Sequence, residues 1–121
     1  MDIDLERGIN LIKQADNAAA VSFLLKALKK DPLNPEVFRH LGLAYFNLGN
    51  FKEALINWKK AIELDPTHHQ TIWNLGNLHE IEQRNNEAFQ YYSQAAEIAE
   101  EESNPKKAER YREWAKRVKR K

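Results

Sequence analysis

The sequence predicts an all-α fold: an α-solenoid of three antiparallel helix pairs, arranged as a right-handed superhelix, that ends in a C-terminal capping helix. Residues of the same type recur at a spacing of 34 along the 121-residue chain. Within each repeat, apolar residues stand three or four positions apart, as on one face of a helix. No stretch alternates apolar and polar residues with period two, so no strand is expected.

The repeat is clearest in three columns of small residues that are identical in all three copies. These columns are Gly8, Gly42 and Gly76; Ala20, Ala54 and Ala88; and Ala27, Ala61 and Ala95. Three matching columns at one period argue against chance. The sequence therefore predicts repeats at about residues 1–34, 35–68 and 69–102, with a capping helix at about 104–120, all within a single domain that spans residues 1–121.

The glycine column needs a physical reason, because Gly42 falls inside a predicted helix, where glycine costs about 1 kcal/mol relative to alanine. We expect the first helix of each repeat to cross its partner at this glycine, opposite the alanine of the second column. Removing a side chain there would let the two backbones approach, and the buried contact would offset the local penalty.

The second repeat also contains residues that indicate where its helices begin and end. Asn34 before Pro35 is typical of a helix start, Gly49 is typical of a left-handed residue after a helix end, and Asp65 before Pro66 ends the partner helix. A capping box over residues 67–70 is predicted for the next helix. In the tail, Ser103 or Asn104 and then Pro105 predict the start of the capping helix. Its apolar face would contain Ala108, Tyr111, Ala115 and Val118, with Trp114 beside them.

Composition narrows the class of protein. The chain has no cysteine, which excludes disulfides and thiol chemistry, and it has no apolar run of the roughly 20 residues that a membrane helix needs. The first ten residues lack the pattern of a secretory signal, so a cytoplasmic location is expected. Serines are scattered and no glycine-rich loop is present. The four histidines include no i, i+4 pair, so neither enzyme activity, a cofactor nor a metal is predicted.

The charge is unevenly distributed. Residues 103–121 carry nine basic and two acidic residues, a net +7, whereas the preceding 102 residues carry a net −6. A solvated capping helix explains this tail, and two alternatives stay open: contact with an acidic partner or a second copy, and binding of nucleic acid or an anionic surface through Lys106–Lys121. Tyr111 and Trp114 belong to the predicted packed face, which argues against stacking on bases.

The repeats resemble the tetratricopeptide repeat (TPR) family, whose 34-residue motif has Leu-Gly at positions 7–8, Tyr at 11, Ala at 20, an aromatic at 24, Ala at 27 and Pro at 32. The third repeat departs from it at His79, Gln83 and Glu100, and the missing proline predicts a longer helix there. The first repeat has Asp4 and Arg7 at positions that are apolar in the motif. The second repeat matches throughout, with Phe38, Leu41, Gly42, Tyr45, Ala54, Trp58, Ala61 and Pro66.

The resemblance implies a non-catalytic protein–protein interaction module that binds a peptide or helix of a partner on the concave face, which the first helices line. A central patch of Arg39, Leu43, Phe46, Trp73, Asn74 and Asn77 is expected. The groove residues predicted from the resemblance are Leu5, Ile9, Ile12, Arg39, His40, Leu43, Phe46, Asn47, Gln70, Trp73, Asn74, Asn77, Glu80 and Ile81.

Two further possibilities follow from the same positions. Some members hold an acidic peptide C-terminus with a two-carboxylate clamp, which needs Lys and Asn where this chain has Leu5 and Ile9, or Arg39 and Leu43. Only the amide at Asn74 fits that clamp. Self-assembly is the other possibility, through the end of the first repeat, if Leu5, Ile9 and Ile12 lie exposed there.

Overall fold

The computed structural model describes residues 1–121 and contains seven α-helices and no strand. The helices are α1 (Ile3–Lys13), α2 (Asn17–Lys30), α3 (Pro35–Asn47), α4 (Phe51–Leu64), α5 (His69–Ile81), α6 (Asn85–Glu101) and α7 (Pro105–Lys119). They form two compact units, Met1–Pro66 with α1–α4 and Thr67–Lys121 with α5–α7. The single-domain assignment stays a prediction. No helix is both long enough and apolar enough to cross a bilayer.

Consecutive helices pack in pairs, α1 with α2, α3 with α4 and α5 with α6. In the first unit α2 also packs against α3, and in the second unit α7 packs against α6. This arrangement confirms the predicted all-α array of three helix pairs and an additional C-terminal helix.

The helix starts follow local capping chemistry. The Asn34 side chain accepts the N–H of Glu36 at 3.0 Å ahead of α3, and the Asn104 side chain accepts the N–H of Lys107 at 3.2 Å ahead of α7. The predicted capping box at residues 67–70 is wrong by one residue. His68, at the repeat position of Asn34, caps α5 through its Nδ1, which accepts the N–H of Thr71 at 3.3 Å.

The turns inside the helix pairs share a left-handed residue whether or not it is glycine. Gly49 has φ +77°, as the sequence predicts, and the residues 34 positions away take the same conformation: Ala15 at φ 62° and Gln83 at φ 63°. The repeat geometry therefore imposes this backbone on side chains that rarely adopt it. Helix α6 has 17 residues against 14 in α2 and in α4, which confirms the predicted extension beyond the missing proline.

The column of helical glycines accommodates large side chains rather than alanines. A Cβ at Gly42 would lie 2.2 Å from Trp58 Cδ1, and a Cβ at Gly8 or Gly76 would lie 2.6 Å from Leu24 or Tyr92. The closest group is therefore the residue at position 24 of the repeat, and the expected alanine at position 20 comes close only at Gly8, where the Ala20 carbonyl oxygen would lie 3.5 Å from the Cβ. The alanines of both columns are themselves fully buried: Ala20, Ala54, Ala88, Ala27, Ala61 and Ala95.

Helix α7 buries the face that the sequence indicates. Ala108, Tyr111, Ala115 and Val118 are all buried. In the second unit Ala115 and Val118 join the core cluster that contains Ala88 and Tyr92, and the partly buried rings of Trp73, Phe89 and Trp114 pack against it. The face of α7 that is left outside is rich in lysine and arginine.

Replacing Gly42 by Leu should lower the free energy of unfolding by well over 1 kcal/mol, because the new side chain would overlap the Trp58 ring and overpacking typically costs about 1–3 kcal/mol. Urea unfolding followed by circular dichroism measures this loss. Lys59→Leu, which places the same side chain at an exposed site on α4, is the control and should change stability little. Equal effects of the two substitutions would contradict the close approach.

Replacing Gln83 by Gly should raise the free energy of unfolding by up to about 1 kcal/mol, since glycine adopts a left-handed backbone without the steric cost that other residues meet. The reverse change, Gly49→Ala, should lower it by about 1 kcal/mol. Strain is the only cost there, because a Cβ at Gly49 would meet no atom within 4 Å. Thermal and urea unfolding of both variants would measure the shifts, and a loss of stability in Gln83→Gly or a gain in Gly49→Ala would refute the assignment.

Candidate functional site

The outward faces of the first helices, α1, α3 and α5, contain most of the positions implied for ligand binding. On α1, Ile9 and Ile12 are half-buried and pack against the core of the first unit, whereas Leu5 is only 2% exposed and belongs to that core. Leu5 is therefore not available to a ligand, contrary to expectation, because its side chain supports the packing of α2 and α3. The same burial removes it from the exposed end proposed for self-assembly.

On α3, part of the expected patch is occupied by contacts within the fold. The Arg39 guanidinium lies 3.4 Å from the Asp65 carboxylate, and the Arg39 carbonyl accepts the Trp58 indole N–H at 3.1 Å. The Phe46 ring packs 5.2 Å from Phe51 and 5.5 Å from Trp58. Arg39 and Phe46 therefore help to hold α3 against α4, in addition to any contact with a ligand.

The other α3 positions are more accessible. Asn47 is exposed and donates to the Asn17 side chain at 3.0 Å. Leu43 is half-buried, and His40 lies 3.9 Å from the Glu36 carboxylate, one turn earlier on the same helix. Leu43 is thus an apolar side chain of this face that takes no part in the ring contacts of Phe46.

On α5, amide side chains follow one another at helical spacing. Gln70 is exposed and its Nε2 donates to Asn74 Oδ1 at 3.1 Å, while Asn74 and Asn77 are half-buried. This contact uses the oxygen of Asn74 and leaves its amide NH₂ to donate elsewhere. Ile81 is 49% exposed at the end of the helix. The α5 face therefore offers several hydrogen-bond donors and acceptors beside an apolar side chain.

Three aromatic rings join the three helices of the second unit. The Trp73 ring on α5 lies 6.1 Å from Tyr92 on α6 and 5.5 Å from Trp114 on α7, edge to face with Trp114. Tyr92 and Trp114 are 5.9 Å apart. The indole N–H of Trp73 is buried and has no hydrogen-bond partner. Trp73 is thus partly a packing residue and only partly a surface residue.

Glu80 is the most strongly connected charged group of the second unit. Its carboxylate accepts the Tyr92 hydroxyl at 2.8 Å, and it pairs with Arg117 at 2.7 Å and with Lys121 at 2.6 Å. Burial alone would raise the pKa of Glu80, but these three donors outweigh it and lower the pKa from 4.5 to about 2. Burial and the hydrogen bond to Glu80 raise the pKa of Tyr92. Glu80 therefore fastens the end of α7 to α5 and α6.

Many cations of the tail have partners within the chain. Besides the two that bind Glu80, Arg112 pairs with Glu100, Lys116 lies 3.6 Å from Glu113, and Lys119 lies over the Phe89 ring. The basic tail is therefore in large part an internally compensated capping helix. Of the remaining cations, Lys107 and Arg110 lie on the side of α7 that adjoins α5.

The expected site omitted this side of α7. Next to Gln70 and Trp73 lies a cavity of about 260 Å³ whose other walls come from α7: Lys107, Arg110, Tyr111 and Trp114. The spacing of Lys107, Arg110, Trp114 and Arg117 was visible in the sequence, and it places them on one helix face. Which neighbour this face adjoins depends on packing, so the sequence alone did not indicate the cavity.

The histidines serve packing. His69 Nδ1 is 2.8 Å from the Tyr111 hydroxyl, which ties the start of α5 to α7. The His79 ring stacks on Tyr91, with centroids 5.4 Å apart and planes within 4°. No group of three or more His, Cys, Asp or Glu side chains is arranged to hold a metal ion.

Replacing Glu80 by Gln should lower stability at neutral pH and flatten its acid dependence. Because folding lowers the pKa of Glu80, its ion pairs stabilise the protein fully above about pH 4.5 and lose this effect as the pH falls toward 2. Urea unfolding at pH 7, 4 and 2.5 should thus show a smaller acid loss for Glu80→Gln than for the parent. Glu82→Gln, at an exposed carboxylate nearby, is the control, and identical behaviour of the two variants would contradict the network.

Comparison with known proteins agrees with this architecture. Models of the tetratricopeptide repeat match residues 35–68 and 69–102, which together exceed half of the chain, and no enzymatic family is indicated. Among solved structures, the TPR2B domain of yeast Sti1 in complex with pHsp70 has a TM-score of 0.87 at 19% identity and covers 98% of both chains. The first TPR of Spaghetti (RPAP3), bound to the HSP90 peptide SRMEEVD, has a TM-score of 0.80 at 23% identity and covers 96% of this chain and 90% of that one.

Comparison with sequence relatives supports the same family. Mouse superkiller complex protein 3 is 30% identical over 97 residues, which is 80% of this chain and 6% of that protein. The Hsp70-Hsp90 organizing protein 2 of Arabidopsis thaliana is 33% identical over 66 residues, 54% of this chain and 12% of that protein. The chain thus spans a small part of the relatives that it matches. With its repeat period, its helix pairs and these matches, the chain belongs to the tetratricopeptide repeat family.

Proposed function

We propose that this chain is a non-catalytic adaptor module that binds a peptide or helix of a partner protein on the outward faces of its first helices. Family membership supports a role in protein–protein interaction. So do relatives named for protein complexes and for chaperone organisation, and related domains whose structures contain bound HSP90 or Hsp70 peptides.

The observation that supports this function most directly is the amide face of α5. Gln70, Asn74 and Asn77 stand three or four residues apart and are not buried, so they share one accessible side of the helix. A carboxamide both donates and accepts, which suits the alternating N–H and C=O groups of a polypeptide backbone. The neighbouring Trp73 and Ile81 would add apolar contact area.

In the first unit, taken by itself, Leu43 and Phe46 are the apolar residues that α3 would offer to such a ligand. Arg39 contributes less than the sequence suggested, because its guanidinium is paired with Asp65 and its carbonyl holds Trp58. Substituting Arg39 or Trp73 would therefore disturb packing as well as binding. The amides of α5 are the better positions for a test.

Selection from a random peptide library displayed on phage, against the immobilised chain, should yield peptides that bind it. Replacing both Asn74 and Asn77 by Ala should weaken the selected peptides about tenfold, since each lost hydrogen bond is worth about 0.5–1.5 kcal/mol. Isothermal titration measures the affinities. The matched control replaces Gln90 and Gln94, two exposed amides of α6, by Ala and should leave affinity unchanged. Equal losses in both variants, or a library that yields no binder, would refute the proposed site.

A further inference from the structure

Two neighbouring cavities along α7, of which only the first reaches α5, are here together called the α7 trough. The cavity of about 260 Å³ beside Gln70 and Trp73 adjoins a second of about 500 Å³ along α7, and both share Arg110 and Trp114 as walls. Further along the helix the second cavity reaches Glu113, Arg117 and Arg120. The trough therefore follows α7 from Lys107 in its first turn to Arg120 at its C-terminal end.

The trough has an excess of uncompensated positive charge. Arg117 is neutralised by Glu80, and the only carboxylate of the walls, Glu113, lies 3.6 Å from Lys116. Lys107, Arg110 and Arg120 have no carboxylate partner within the chain, and both arginines are exposed. Arginine presents a planar fork of donors that matches a carboxylate in a bidentate manner. An anionic occupant would satisfy these groups.

The middle of the trough is aromatic and held in place. Trp114 is half-buried, with the Arg117 guanidinium 4.3 Å from its ring centre and the Trp73 ring 5.5 Å away. Glu80 fixes Arg117 in turn, so it acts as a positioning residue for this surface. A ring covered in this way is not free to stack on a nucleic-acid base, but its remaining surface can receive an apolar side chain. Tryptophan and arginine together are typical of interface anchors.

The spacing of these groups limits what can bind. Arg110 and Arg120 are ten residues apart on one helix, about 15 Å at 1.5 Å per residue, and Trp114 lies about 6 Å beyond Arg110 along the axis. An extended polypeptide rises about 3.3 Å per residue, so about five residues separate groups that contact the two arginines. The matching segment carries acidic side chains on both sides of an apolar one.

We propose that the α7 trough docks an acidic segment of a partner protein, whose side-chain carboxylates pair with Arg110 and Arg120 and whose apolar side chain packs on Trp114. Charge complementarity supports this occupant, and the covered Trp114 ring favours a protein over a nucleic acid. The surface shares only Gln70 with the amide face of α5 and needs none of the hydrogen bonds of Asn74 or Asn77.

The test uses the full chain and a doubly blocked peptide, acetyl-EEFLEE-amide, which has side-chain carboxylates but no terminal one. Replacing Arg110 and Arg120 by Ala should weaken its binding about tenfold or more, because charge-assisted hydrogen bonds are lost. The matched control replaces Lys52 and Lys59, two exposed lysines of α4, by Ala and removes the same charge without touching the ion pair between Lys116 and Glu113. It should change affinity less than about twofold, as should Asn74→Ala with Asn77→Ala. Circular dichroism confirms that each variant is folded.

Two further probes separate the trough from a general attraction between charges. The peptide acetyl-QQFLQQ-amide should bind at least about tenfold more weakly than the acidic one, and acetyl-EESSEE-amide should also bind more weakly than the acidic one. Equal losses in the arginine variant and in the lysine control would overturn the proposal, as would equal binding of the glutamine peptide. A single-stranded RNA of twelve uridines that binds through Arg110 and Arg120, while the acidic peptide does not, would overturn it in favour of nucleic acid. If the library-selected peptides fail to bind while the acidic peptide still binds, that result would count only against the proposed peptide site on the amide face of α5.

Discussion

The close approach between the glycine at position 8 and the large residue at position 24 of each repeat is the contact on which the helix pairs depend. At Gly42 the missing side chain leaves room for the Trp58 ring, and the indole N–H then reaches the Arg39 carbonyl on α3. Leu24 and Tyr92 occupy the same place beside Gly8 and Gly76. Burial of an aromatic or leucine side chain is worth about 1.5–3 kcal/mol, which exceeds the helical penalty of glycine. The glycine column is therefore a packing requirement.

In the second unit the same contact extends to the surface. Because Tyr92 lies along α5 at Gly76, its hydroxyl reaches Glu80, and Glu80 also holds Arg117 of α7 and Lys121 just after it. Core packing of α5 and α6 thereby determines where the last turn of α7 docks. Arg117 in turn lies over Trp114, which places an aromatic residue in the middle of the α7 trough. The buried contact between Tyr92 and Gly76 thus determines, through Glu80, where Arg117 and Trp114 lie at the surface.

Local chemistry explains why much of the fold could be predicted. The 34-residue period, the caps at Asn34 and Asn104 and the apolar face of α7 each depend on residues within one helix or turn, so a sequence pattern suffices. The misplaced cap of α5 is a local error, whereas the other errors arose where two elements meet. The cap of α5 is His68 because that residue occupies the repeat position of Asn34, and Leu5 is buried because α2 and α3 cover it. Arg39 similarly turned out to be paired, with an aspartate at the end of α4.

The sequence by itself determined the repeat, the all-α class, the family and the asymmetry of charge, since periodicity and composition are properties of the chain. Only the tertiary structure decided which cations of α7 are neutralised and which remain exposed, because ion pairing depends on distances between helices. It also decided that Gln83 and Ala15 adopt the left-handed backbone of Gly49, since the geometry of the helix pair outweighs the local preference of those residues. The cavity beside Trp114 also depends on tertiary structure, because helix packing brings Trp114 next to Gln70 and Trp73.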